Sequence, residues 1–222
     1  MRKSFINALL VALLLAGCSE EPRRAESQSV DSGENVAMKT IVALGDSLTA
    51  GLGVDPDESY PALLEKVLQE KGYTYRVVNA GVSGETSSGT LARVGWILTQ
   101  NPDIVIVETG ANDGLRGTPV TLLEDNLRQI VSLLQENDVA VLLAGMKMSL
   151  NLGADYVSQF NAVYPKVAAE MDVELIPFFL EGVAMKSHLN IEDGIHPNQA
   201  GYSVIVENLY PYLARVIESV KP

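Results

Sequence analysis

Two segments far apart in the chain carry residues suited to nucleophilic chemistry: Gly45-Asp46-Ser47-Leu48 and Asp193-Gly194-Ile195-His196-Pro197. A serine hydroxyl is a weak nucleophile near neutral pH and needs a base beside it, for which histidine is the usual side chain. The chain has two histidines, and of these His196 has a carboxylate, Asp193, three residues upstream. A carboxylate there can hold the imidazole in one tautomer and stabilise the imidazolium that forms as Ser47 gives up its proton. Each segment alone also has a plainer reading: Gly-Asp-Ser is a common turn tripeptide, and a loop of Asp, Gly and Pro can simply carry a surface histidine. His188, in Lys186-Ser187-His188-Leu189, lacks a carboxylate at that spacing and is expected in the loop or short helix leading to the site.

Acyl transfer also requires donors for the oxyanion. Gly81, in Asn79-Ala80-Gly81-Val82-Ser83-Gly84, can present a backbone amide where a side chain would obstruct a substrate, and Asn112, in Gly110-Ala111-Asn112-Asp113, can offer a side-chain amide. The Ser47 amide, near a helix N-terminus, is a further candidate.

The elements that must position these groups are legible as alternating patterns. Short apolar runs at residues 40–44, 75–78, 103–107 and 139–143, with a shorter one at 174–176, read as buried parallel strands. Amphipathic stretches at 61–71, 88–100, 119–137, 155–171 and 199–220 read as helices, the third opened by Thr118 as N-cap and Pro119 at the first helical position. Strict alternation predicts a three-layer α/β/α fold, a doubly wound parallel sheet of about five strands. In that architecture ligands bind beyond the carboxyl ends of the strands. Ser47, Gly81 and Asn112 each follow a strand and Asp193-His196 precedes the last helix, so the fold brings them to one edge.

The N-terminal part reads differently. Residues 1–17 have Arg2 and Lys3 followed by an apolar run too short to span a bilayer, as in a secretory signal. Residues 18–38 are polar and aperiodic, a tether, and residues 39–222 read as the folded domain. Loss of Arg2 and Lys3 with the signal takes the formal charge from −12 to −14, an acidic surface that argues against nucleic acid as a partner. The single cysteine, Cys18, excludes an intramolecular disulfide. A zinc hydrolase would need more ligands than two histidines and this cysteine supply, and the glycines Gly45, Gly51 and Gly53 lack both the Gly-Lys-Ser/Thr and the dinucleotide spacing.

Leu15-Ala16-Gly17-Cys18 resembles a bacterial lipobox, which implies diacylation of Cys18 and a membrane partner through that anchor. Ser19 after the cysteine implies outer-membrane sorting, facing the periplasm, in a Gram-negative host. The Ser, Gly, Asn and Asp-His segments together resemble the SGNH, or GDSL, hydrolases over residues 40–220. Within that family, residues 43–53 and 107–117 are similar to the bacterial thioesterase I, lysophospholipase and arylesterase branch. The resemblance implies a flavodoxin-like fold, a monomer, no metal and no cofactor. It implies Ser47 as nucleophile, His196 as base, Asp193 as its orienter, and an oxyanion hole of the Ser47 amide, the Gly81 amide and the Asn112 side chain.

Met146, Met148, Leu150 and Ile195 are expected to contact a small ester or lipid substrate, and Trp96 to lie in the core rather than in the pocket wall. The chain departs from the branch at Ser149-Leu150, where two prolines are common, and at Glu85 and Thr90, where Asp and Gly are common; a looser rim would alter chain-length preference. The expected activity is hydrolysis of carboxylic esters or thioesters through an acyl-enzyme. The competing reading, from another class, is a lipid-anchored module that binds a ligand in the same cleft without turning it over.

Overall fold

The computed structural model describes residues 38–148 and 152–220. Five parallel strands form one sheet in the order β2-β1-β3-β4-β5: β1 Lys39–Gly45, β2 Tyr75–Gly81, β3 Ile104–Glu108, β4 Ala140–Ala144 and β5 Glu174–Ile176. β1 and β3 lie centrally, and their apolar residues Ile41 to Leu44 and Ile104 to Val107 are fully buried, as expected for strands covered on both faces.

The helices are α1 Ser47–Ala50, α2 Tyr60–Glu70, α3 Ser87–Ala92, α4 Val94–Leu98, α5 Ala111–Leu115, α6 Val120–Gln135, α7 Ala154–Met171 and α8 Gln199–Ser219. α2 packs with α8, and α6 with α7, α3 and α4, which gives the two helical layers. The order is the flavodoxin-like one, and its reversal point lies between β1 and β3, where a crevice opens at the carboxyl ends. Gly45 ends β1 opposite Gly81 of β2 on one side and Glu108 of β3 on the other. The segments that follow these three residues therefore meet at the reversal point.

Three sequence expectations change. The helix expected over 88–100 is two short helices broken at Arg93, which has φ −111 and ψ 7. The break places its guanidinium inward, donating to the carbonyls of Gly45 and Ala80 and pairing with Glu85. Trp96 is 52% exposed and not core, because Val94 and Ile97 occupy the buried face of α4. At α6, Pro119 has ψ 127 and is the cap itself, so the helix starts at Val120, one residue later than Thr118-Pro119 suggests.

Candidate active site

Ser47 opens α1, a single turn whose N-cap Asp46 accepts the Leu48 amide at 3.0 Å. The turn sets the Ser47 side chain at the edge of the sheet, 8% exposed. His196 reaches it from the loop before α8: its Nε2 is 2.8 Å from Ser47 Oγ, and its Nδ1 is 2.6 Å from Asp193 Oδ2. The same carboxylate accepts the Ile195 and His196 backbone amides on Oδ1, each at 3.0 Å. Burial pushes the Asp193 carboxyl up, but these hydrogen bonds outweigh it and hold the group below the usual carboxylate range. An ionised acceptor on Nδ1 fixes the proton there, leaving Nε2 to take the serine proton.

Ser47 and His196 line a cavity of about 480 Å³, a size suited to a small ligand. Asp46, Ser47, Ser83, Gly84, Asn112 and His196 supply its polar side, while Leu48, Leu52, Ala111, Leu115, Met146, Met148, Leu180, Ala184, Met185 and Ile195 make most of its wall. Met146 is buried and Met148 half-buried, whereas Leu52, Leu115, Met185 and Ile195 are exposed at its mouth. The chain belongs to the GDSL-like lipase/acylhydrolase family.

The family's sequence profile matches residues 43–204. Esterase TesA of Pseudomonas aeruginosa is 40% identical over 203 residues, 91% of this chain and 97% of its own length. Thioesterase 1/protease 1/lysophospholipase L1 of Escherichia coli K12 is 42% identical over 172 residues, 77% of this chain and 81% of its own. The crystal structure of psychrotrophic esterase EstA from Pseudoalteromonas sp., inhibited by monoethylphosphonate, aligns with a TM-score of 0.77 at 32% identity, over 81% of this chain and 99% of that one.

In this family member the structure brings Ser47, His196, Asn112, Met146, Met148 and Ile195 to one cavity, with Asp193 behind His196, and it does not bring Gly81 there. The Gly81 amide donates to Asn79 Oδ1 at 3.0 Å, and a Cβ on Gly81 would overlap the Ala50 backbone, so this glycine lets α1 lie against β2. Gly84, three residues on, lines the cavity, and its amide meets no acceptor among the described residues. The signal for it was in view, a second glycine in Val82-Ser83-Gly84-Glu85, but strand-end position favoured the first. Asn112 Nδ2 donates to Asp46 Oδ2 and to the Glu85 carbonyl, each at 3.0 Å, which ties the segments after β1, β2 and β3 together. His188 is exposed on a 3-10 turn over Ser187–Leu189, and its carbonyl accepts from Asn198 at 3.1 Å. Cys18 and Leu150 lie outside the described residues.

Proposed function

We propose that the chain is a serine esterase that hydrolyses carboxylic esters or thioesters of small or lipid-like acids. The observation that carries this is the hydrogen-bonded series from Asp193 through His196 to Ser47, at 2.6 and 2.8 Å, opening on an apolar cavity. Ser47 Oγ attacks the acyl carbonyl as His196 Nε2 takes its proton. The oxyanion receives the Ser47 and Gly84 amides and the Asn112 side-chain amide, the last exchanging an existing partner for the substrate. The imidazolium then protonates the leaving alcohol or thiol, water activated by His196 attacks the acyl-enzyme, and the acid departs. Met146, Met148 and Ile195 accommodate the acyl part, since they line the cavity beside the reacting groups.

The names of the relatives, an esterase and a thioesterase with lysophospholipase activity, favour this substrate range. The complete set of interacting groups favours turnover over mere binding in the cleft. All of them come from one chain, which favours a functional monomer. For location, the lipobox-like run ending at Cys18 supports an envelope lipoprotein with residues 18–38 as tether, facing the periplasm, and Ser19 supports outer-membrane sorting in a Gram-negative host.

A series of p-nitrophenyl esters, lysophospholipid and acyl-CoA tests the activity. Ser47→Ala is expected to abolish turnover and labelling by a fluorophosphonate; retained hydrolysis by the pure variant overturns the assignment. Membrane fractionation with Cys18→Ser tests the anchor, and the variant is expected to leave the membrane fraction.

A further inference from the structure

The reaction above leaves one buried acid without a task. Glu108, the last residue of β3, is fully buried and sits in register with Gly45 of β1, two residues before Ser47. Its Oε2 accepts from the Thr49 hydroxyl at 2.8 Å and from the Asp46 amide at 3.3 Å. Its Oε1 is out of reach of solvent and receives no hydrogen bond from the described residues. A charged oxygen so placed is strongly disfavoured, whereas a protonated carboxyl becomes a donor. The acceptor is at hand in Asp46, whose own amide already donates to Glu108 Oε2 and whose carboxylate charge acts on the buried acid.

We propose that Glu108 is a positioning residue: held as the neutral acid, it donates to the Asp46 carboxylate, which in turn receives the Leu48 amide and the Asn112 side chain. Asp46 thereby orients both the turn that presents Ser47 and the side-chain donor that follows β3. This rests on the esterase reading above.

The proton belongs on Glu108. Two carboxyls in contact do not both ionise, and the better hydrogen-bonded one keeps the charge. Burial first, and the Asp46 charge second, push Glu108 well above its ordinary value. Burial raises Asp46 as well, but Leu48, Asn112, His196 and Glu108 all draw it back down. From the packed elements, the titratable groups facing the pair are Tyr60 of α2, Tyr164 of α7, Tyr202 of α8 and, on the cavity side, His196. Burial keeps the three phenols neutral, so the charge facing Asp46 during turnover is the imidazolium. A neutral Glu108 lets Asp46 stabilise that imidazolium as a single negative charge.

Glu108→Gln preserves the shape and supplies an amide donor to Asp46; Glu108→Leu supplies none. The Gln variant is expected to keep kcat within a few fold. The Leu variant is expected to lose kcat about ten- to a hundredfold, the equivalent of one hydrogen bond to a charged group, with KM little changed. Its acid limb of kcat against pH should also move upward, since Asp46 has lost a donor that holds it ionised. Infrared difference spectra of wild type against Glu108→Gln should show a carboxylic-acid carbonyl band at neutral pH that the variant lacks.

Absence of that band overturns the proposal, and the spectra decide it even where Glu108→Leu does not fold. So does a Leu variant with wild-type kcat and an unmoved acid limb, or a Gln variant as impaired as Leu. A wild-type protein inactive on every ester and thioester sinks the esterase reading instead, while the infrared band still reports on the carboxyl pair.

Discussion

Ser47 Oγ and His196 Nε2 lie 2.8 Å apart although 149 residues separate them in the chain. Nothing local holds that contact: β1 ends at one side of it, and the loop before α8 delivers the other. The delivery depends on Asp193, whose carboxylate binds the ring and the two backbone amides of its own loop. Asp193→Asn keeps an oxygen for those amides but turns an NH₂ toward Nδ1, which favours the tautomer with its proton on Nε2. The expected result is a fall in kcat on the order of 10³- to 10⁴-fold, with KM nearly unchanged. Steady-state kinetics on a p-nitrophenyl ester checks it; a loss below tenfold would remove Asp193 from the relay.

The carboxyls of the site respond to pH in opposite senses. Asp193 is held below its ordinary value, so the stability it contributes is present above the unfolded pKa and is lost as pH falls through the folded one. Glu108 is held far above its ordinary value, so its contribution is present in acid and is lost as pH rises from the unfolded value towards the folded one. Glu108→Gln, which has no proton to lose, should therefore gain stability relative to wild type as pH rises from mildly acidic to neutral. Asp193→Asn should differ from wild type less as pH falls. Melting temperatures of the three proteins across that range check both signs, and a constant offset for Glu108→Gln would contradict the first.

The fold was legible because the buried runs of β1 and β3 carry almost nothing but branched apolar residues, which two covered faces require. The site was legible because strand ends converge whatever the loops do. What escaped was tertiary. Arg93 breaks a good helical pattern because three acceptors from other segments bind its guanidinium, and no period within residues 88–100 encodes them. Trp96 is exposed because the break leaves a helix too short to bury more than one face. Gly81 and Gly84 look alike in sequence, and only the approach of α1 to β2 separates the packing glycine from the one at the cavity.

That separation has a mutational consequence. Gly81→Ala would force a methyl against the Ala50 backbone and is expected to lower Tm and the yield of folded protein. Asn112→Ala removes two hydrogen bonds, one of them to the buried Asp46 carboxylate, and is expected to lower Tm less than Gly81→Ala does while kcat falls about 10²- to 10³-fold. Paired measurement of Tm and kcat checks the contrast; the reverse pattern would return Gly81 to the oxyanion hole and take Asn112 out of it.

Acyl selectivity should reside with Met148. Its thioether fills the space left by the absent Cβ of Gly114, and its amide donates to Asn161 Oδ1 at 3.1 Å, so the side chain stands at a defined place in the cavity wall. Met148→Ala exchanges that thioether for room that a longer acyl chain can fill. One methylene in an apolar pocket is worth about ten- to two-hundredfold in kcat/KM, so the ratio of long- to short-chain ester hydrolysis should rise by at least about tenfold. Ile195, 54% exposed at the mouth, works the other way: Ile195→Ser removes apolar contact only from substrates long enough to reach the rim. It should lower kcat/KM for long chains and spare short ones. A chain-length profile identical to wild type in Met148→Ala would place the acyl group elsewhere in the cavity.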